Sequence, residues 1–272
     1  MTVTLWISLG FLAIASVLPK ACNSRFLFGG SGWVFLAIYW FLQPASYIEV
    51  QDYFNALLVV VAAIVSLFIA YIMFQVGNGK ESSQGNGIIL ISLSRAASVS
   101  GLIYFLFADV ELFNSGIISL VTNQTIWVAE RWGFPVTQVA WNQLAVNGLA
   151  VEIILACTAI ESIALFTGII SSATGAPFVQ KFRAFMISVP VIYILNLMRV
   201  SFTASAYGFG WFGTPDESFH ISEHFITKAG SLLALLLISY AVLKTLPEVS
   251  DMIDGIFKTM RLEFRKLAMR LN

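Results

Sequence analysis

Seven apolar stretches, each close to the length needed to cross a bilayer, constrain this chain more than any other feature. They run Val3–Leu18, Phe26–Leu42, Tyr53–Val76, Ile88–Phe107, Val151–Ala173, Phe182–Tyr207 and Phe225–Leu246. Hydrocarbon offers a backbone no hydrogen-bonding partner, so only helices and closed barrels span it, and a helix needs roughly 17–25 apolar residues to do so. None of the stretches alternates apolar with polar residues as a barrel strand must. The chain is therefore read as an all-α integral membrane protein, a polytopic bundle of about seven transmembrane helices.

Composition sharpens that reading. Hydrophobic residues make up 58% and charged residues 11%, against about 25% charged in a soluble domain, which excludes a soluble globular enzyme. Fifteen Lys and Arg balance fifteen Asp and Glu, and there are 23 Phe, 7 Trp and 8 Tyr. No basic surplus points to nucleic acid, and so aromatic a chain is not disordered. Two cysteines, Cys22 and Cys157, are too few for a disulfide framework.

Orientation follows from the short loops, because cytoplasmic loops carry the excess of Lys and Arg. Lys20 and Arg25 fall in the first loop, Lys80 in the third, Lys181 and Arg183 in the fifth, and Lys244, Lys258, Arg261, Arg265, Lys266 and Arg270 at the carboxyl end. The loops between carry only Arg131. The amino terminus is accordingly expected outside and the carboxyl terminus in the cytoplasm. The first segment has no basic residue ahead of it, so it reads as a retained anchor rather than a signal peptide. Cys22 reads as structural.

The one long connection, Asp109 to Ala150, carries Asn123, Gln124, Glu130, Arg131 and three tryptophans, Trp127, Trp132 and Trp141. Tryptophan favours the membrane–water interface. An amphipathic, surface-lying or re-entrant segment over the outer face is expected, and an eighth span near Phe113–Trp132 is the alternative. Asn123-Gln124-Thr125 also matches a glycosylation acceptor pattern. After Pro247, the residues Ile253, Ile256, Phe257, Met260, Phe264 and Leu267 recur at helical spacing among basic residues. That suits an amphipathic cytoplasmic helix on the anionic inner leaflet. Two regions result: a transmembrane domain, 1–247, and a basic tail, 248–272.

An ionisable residue within hydrocarbon is costly enough that function is its default explanation. Those read inside spans are Arg95, Glu152, Glu161 and Arg199, with Cys157 the only thiol inside one. Counted as helix from Val151, Cys157 lies roughly 9 Å below the outer end of the fifth span, and Arg199 roughly 12 Å from the same face. His224 opens the seventh span above that level, and His220 precedes it by one turn. A thiolate is a nucleophile, an arginine can stabilise a tetrahedral oxyanion at every working pH, and a histidine can carry the proton. Together they describe acyl transfer from a peptide, with catalytic residues Cys157, Arg199 and His224, or His220 as the third.

Blander readings stand beside this one. A cysteine in a span can be simple packing, Arg199 can pair with a carboxylate or snorkel, and the two histidines can sit at the interface or bind a metal. No HExxH is present, so no metal is expected. Asn196, three residues before Arg199, shares its helix face and is expected to hold the guanidinium, while Pro190 kinks the sixth span. Glu161 falls one turn below Cys157, and Arg95 reaches a similar depth, so these two are expected to pair and to orient helices.

The segments Ala156-Cys157-Thr158-Ala159-Ile160-Glu161-Ser162, Asn196-Leu197-Met198-Arg199 and Glu223-His224-Phe225-Ile226 resemble the exosortase and archaeosortase family. The likeness lies mainly in Val151–Tyr240, the catalytic core, and in the first four spans it is one of hydropathy alone. Cys157 and Arg199 match the membrane-embedded cysteine and the N-x-x-R arginine of that family, and His224 takes the place of its variable third member. The resemblance implies an archaeal, membrane-embedded cysteine peptidase and transpeptidase with its active site near the outer face. Its implied substrates are secreted or surface proteins with a tripartite carboxyl-terminal signal of the Pro-Gly-Phe type. A membrane lipid is the implied acceptor of the new carboxyl end, and no cofactor is implied.

A non-enzymatic transporter or receptor is the alternative. A transporter would favour broken helices and midplane polar groups, at which only Arg95 and Glu161 hint. A retinal protein would need a lysine midway along the last span, whereas Lys228 and Lys244 lie at its ends.

Overall fold

The computed structural model describes residues 2–19, 22–49, 51–79 and 84–271. Two of the loop cations used for orientation, Lys20 and Lys80, lie outside them. In chain order the elements are α1 (Thr2–Val17), α2 (Ser24–Phe41), α3 (Pro44–Glu49), α4 (Tyr53–Gly77), α5 (Gln84–Asp109), α6 (Glu111–Arg131), β1 (Val136–Ala140), β2 (Gln143–Val146), β3 (Leu149–Glu152), a 3-10 turn (Leu155–Thr158), α7 (Ile160–Ser172), α8 (Phe178–Phe209), α9 (Pro215–His220), a π-helical turn (Ile221–Ile226), α10 (Thr227–Thr245) and α11 (Pro247–Leu271). Among the described residues, five helical segments are long and apolar enough to cross a membrane: Ser24–Glu49, Tyr53–Gly77, Gly87–Asp109, Phe178–Phe209 and Pro215–Thr245. Two shorter apolar helices, Val3–Val17 and Ile160–Ser172, accompany them. The molecule is a helical, multi-pass membrane protein.

The chain divides into two compact units. One comprises Met1–Leu102, Gly168–Ala176 and Pro247–Asn272. Lipid tails are as apolar as leucine, so helices within a bilayer associate through close packing and polar contacts rather than through hydrophobic burial. α2 meets that requirement with glycines. A Cβ at Gly30 would lie 2.7 Å from the Phe74 ring, and one at Gly32 would lie 2.8 Å from the Leu12 side chain. α1 and α4 can therefore approach α2 closely. Polar contacts add direction: Ser8 donates to the Gly32 carbonyl at 2.8 Å, and the Trp33 indole donates to Ser94 Oγ at 2.9 Å. Asp52 caps α4 by accepting from the Asn55 amide N–H at 3.1 Å, satisfying one of the donors that a helix start leaves open.

The expected tail helix is present as α11, and part of it is buried within this unit. Val249, Met252, Thr259 and Glu263 are buried, whereas Ile253, Phe257 and Phe264 are exposed. A Cβ at Gly255 would strike the Ile89 side chain. Only part of the apolar face read from the sequence is therefore left uncovered.

The other unit comprises Ile103–Thr167 and Pro177–Leu246. Here one segment departs from helix, in a chain that is otherwise helical as expected. The long connection forms α6 and then a three-stranded antiparallel sheet ordered β1-β2-β3, not a single surface-lying segment. Val136 pairs with Val146, and Gln143 with Glu152. Asn147 and Gly148, both with positive φ (53° and 82°), join β2 to β3. Asn-Gly is the dipeptide that a two-residue hairpin turn of this handedness prefers. α6 occupies the place of the alternative eighth span, yet it is not among the five apolar segments of spanning length.

The core of this unit joins Ile118, Val121 and Ala129 of α6 to Val136, Leu144 and Val146 of the sheet and to Leu197, Val200 and Ala204 of α8. β2 lies so close to α8 that a Cβ at Gly208 would sit 2.5 Å from Val146 Cβ and 2.7 Å from its carbonyl oxygen. Asn147 Nδ2 also donates to the Gly208 carbonyl at 3.2 Å. α8 runs unbroken through Pro190 and stops at Gly210, a left-handed residue with φ 61°. Thr214 and Glu217 form a reciprocal capping box at the start of α9, with Pro215 in its first turn. The expected seventh span thus begins ten residues earlier than Phe225, at Pro215.

The fifth span is corrected as well. Val151 and Glu152 belong to β3, and regular helix begins only at Ile160. The sheet register holds Val151 opposite Leu144, so this backbone is extended where a helix was expected, and any depth counted along a helix from Val151 no longer applies.

Gly208→Val should force the sheet away from α8, because the new atoms meet a backbone carbonyl that cannot rotate aside. A loss of about 1–3 kcal/mol is expected for overpacking of this kind. Thermal unfolding of the purified protein in detergent should show a midpoint lower by several degrees, and an unchanged midpoint would contradict the close approach.

Candidate active site

The site is built within the second unit. Cys157 lies on the 3-10 turn between β3 and α7, just ahead of that short apolar helix rather than inside a helix. Three features hold the turn. The Cys157 N–H donates to the Ile154 carbonyl at 2.8 Å, Thr158 Oγ1 donates to the Leu155 carbonyl at 2.7 Å, and Ala159 takes a left-handed conformation with φ 60°. That conformation costs a residue bearing a Cβ about 1–2 kcal/mol. Strain of this sort persists only where its surroundings impose it, and it gathers at functional sites. It turns the chain out of the 3-10 segment and into α7.

Asn196 on α8 supplies the fourth restraint. Its Nδ2 donates to the Cys157 carbonyl at 2.7 Å, and the residue is 8% exposed. The expectation that Asn196 holds the Arg199 guanidinium is thereby corrected: its amide reaches the cysteine backbone and fixes the thiol's carrier to α8.

Arg199 follows one turn along α8. Its Nη2 lies 3.9 Å from Glu223 Oε1, and the two side chains are 24% and 28% exposed. Glu223 is held in turn by Thr203, whose Oγ1 donates to Oε2 at 3.2 Å, and by Thr227, whose Oγ1 lies 3.4 Å from the same oxygen. The arginine Nε is buried with no hydrogen-bond partner among the described residues. The pair is longer than the 2.7–2.9 Å of a charge-assisted hydrogen bond. Donor capacity on the guanidinium is thus unspent, as binding an incoming oxygen requires.

Sequence reading missed Glu223. Its signal was the acidic residue beside His224 at the start of the last span, the nearest carboxylate available to an arginine that had to pair or snorkel. The two histidines sit elsewhere on the same stretch. His220 ends α9, His224 lies on the π-helical turn, both are exposed, and their rings stack at 4.7 Å with 12° between planes. The contacts of Arg199 run to Glu223 instead.

A cavity of about 510 Å³ opens beside Arg199, lined by Arg199, Asn196, Glu161 and Ser162 and by Gly230, Ala234 and other residues of α10; Ala156 and Ala159 line it, whereas Cys157, Glu223 and the two histidines do not. Glu161, in the first turn of α7, is exposed. It shares no helix with Cys157, contrary to the expected stacking on one face. The Arg95–Glu161 pair read from depth falls on residues of different units. Within its own unit, Arg95 Nη2 donates to the Ser16 carbonyl at 3.0 Å.

Burial pushes the Cys157 thiol above the ordinary cysteine value, a backbone hydrogen bond at Ile154 and the charge of Arg199 oppose that, and the charge of Glu223 adds to it. The resting form at neutral pH is therefore the protonated thiol. Alkylation of Cys157 by iodoacetamide should accelerate with pH to a midpoint above that of free cysteine, since only the thiolate reacts. Arg199→Ala removes a charge that favours the thiolate and should slow alkylation at fixed pH. A midpoint at or below the free-cysteine value in the wild-type protein would contradict this environment.

The chain matches no protein-family model and no solved structure. It does match two curated proteins over most of its length. An archaeosortase A of Haloferax volcanii is 28% identical over 260 residues, covering 83% of this chain and 82% of that one. An archaeosortase A of Natronomonas pharaonis is 24% identical over 272 residues, covering 88% and 82%. Similarity of this extent, joined to the membrane helices, supports placing the chain in the archaeosortase/exosortase family.

Proposed function

We propose that this protein is a membrane-embedded thiol peptidase and transpeptidase that removes the carboxyl-terminal sorting signal of surface proteins at the outer face of the membrane and passes the new carboxyl end to a lipid. The observation that carries the reading is the fastening of Cys157 to the arginine helix, through the 2.7 Å bond from Asn196 to the Cys157 carbonyl. It joins the one thiol of the second unit to an arginine with a free, buried Nε. Similarity to two archaeosortases supports the same reading. The short basic loops support an outside amino terminus and a cytoplasmic carboxyl terminus.

In this mechanism the Cys157 thiolate attacks the scissile carbonyl carbon. Arg199 holds the negative oxygen of the tetrahedral intermediate, which collapses to a thioester and releases the amine of the signal segment. The proton lost by the thiol ends on that amine, with His224 as its carrier and His220 as the alternative. A lipid nucleophile then resolves the thioester, regenerating the thiol. The cavity beside Arg199, lined also by Ala156 and Ala159 of the segment that carries the thiol, gives the bound chain a place to lie.

Purified protein incubated with a membrane-anchored peptide bearing a Pro-Gly-Phe signal should gain the mass of an acyl adduct, and Cys157→Ala should abolish it. Arg199→Ala should lower turnover about 10²–10³-fold, as loss of an oxyanion donor does. Processing at the wild-type rate by Cys157→Ala would end the reading and return the protein to the transporter or receptor class.

His224→Ala is expected to cost more turnover than His220→Ala. The reverse order, measured under the same conditions, would move the proton-carrying role to His220.

A further inference from the structure

Glu223 stands between three elements. It lies on the π-helical turn Ile221–Ile226, it faces Arg199 and Thr203, which are four residues apart on α8 and so share a helix face, and it receives the Thr227 hydroxyl from the first residue of α10. The Thr227 hydroxyl also donates to the Glu223 backbone carbonyl at 3.1 Å. π-helical turns inside helical runs are uncommon and frequently mark functional positions. This one rotates Glu223 toward α8 just where the arginine sits.

Building on the thiol-transfer reading above, we infer that Glu223 is the positioning residue for Arg199: its carboxylate, anchored by Thr203 and Thr227, sets where the guanidinium stands without consuming the donors that the reaction needs.

At 3.9 Å the carboxylate attracts the arginine through charge without occupying it in a short hydrogen bond, while Nε remains buried and unpartnered among the described residues. Glu223 Oε2, meanwhile, accepts from Thr203 at 3.2 Å and lies 3.4 Å from the Thr227 oxygen, whose one proton it shares with the Glu223 backbone carbonyl, which leaves Oε1 facing the arginine. A carboxylate that neutralised Arg199 outright would weaken its hold on an oxyanion. One held slightly back orients it without taking up its donors, beside a cavity whose lining includes Arg199 and Thr227.

The test separates positioning from simple structural support because its two readouts move in opposite directions. Glu223→Gln keeps the shape and removes the charge. Turnover of the Pro-Gly-Phe peptide should fall about tenfold or more through kcat with KM little changed, the pattern of an interaction felt in the transition state. At the same time Cys157 should alkylate faster at fixed pH, because a negative charge that disfavours the thiolate has gone. Glu223→Asp should restore part of the lost turnover. A structural defect would instead lower the melting temperature and fail to be rescued. Turnover by Glu223→Gln within twofold of wild type would overturn the inference, as would loss of turnover accompanied by a collapse in thermal stability in both Glu223 variants.

A double-mutant cycle of Arg199→Ala with Glu223→Gln, read by alkylation of Cys157, needs no substrate. Coupling between the two changes supports positioning, and strict additivity overturns it. Should the wild-type protein cleave no peptide, the thiol-transfer reading falls, and this cycle still decides whether Glu223 sets Arg199.

Discussion

Every backbone N–H and C=O in an apolar setting must find a partner inside the protein, and that requirement governs the whole structure. It makes helices of nearly all the chain, because a helix satisfies its groups within one segment. It also determines where the chain can depart from helix. Between Trp132 and Ala159 the backbone is strand, hairpin and 3-10 turn, and each departure is compensated. The strands pair with one another, Asn147 reaches the Gly208 carbonyl, Thr158 reaches the Leu155 carbonyl, and Asn196 reaches the carbonyl of Cys157. The candidate nucleophile sits where helix gives way, held by a side chain from the helix that carries the arginine.

The two units answer the same requirement in different ways. Around α2, glycines and serines let helices close on one another and exchange a few directed hydrogen bonds, the mode suited to helices in lipid. In the other unit, α6, the sheet and α8 share an apolar core containing Leu144, Val146 and Val121 with little or no exposure. A core of this type makes a rigid support, and rigidity is what a thiol and a guanidinium need if they are to meet one carbonyl group. Displacements near 1 Å are enough to cost orders of magnitude in rate.

Electrostatics at the site are balanced rather than maximal. Arg199 favours the thiolate and Glu223 disfavours it, while burial keeps the thiol protonated at rest. Arg199 keeps a buried Nε without a partner among the described residues and only a long pair to Glu223, which under the proposed reaction leaves it able to receive negative charge.

The amino-acid sequence alone determined the membrane character and the helices at Tyr53–Gly77 and Phe178–Phe209 to within a few residues, and it singled out Cys157 and Arg199 of the candidate site, because apolar length and a rare thiol or guanidinium in apolar surroundings can be read one segment at a time. The Asn147-Gly148 turn carries a sequence signal that the reading passed over, because the short strands around it show too little alternation to stand out beside seven apolar stretches. What only the tertiary structure decided was partnership: that Asn196 serves the cysteine carbonyl and not the arginine, that Arg199 faces Glu223, and that Cys157 stands ahead of its helix. Those facts depend on atoms some 20 to 40 residues apart being brought together. Hydropathy and periodicity record only which face a residue prefers, not which residue waits across from it.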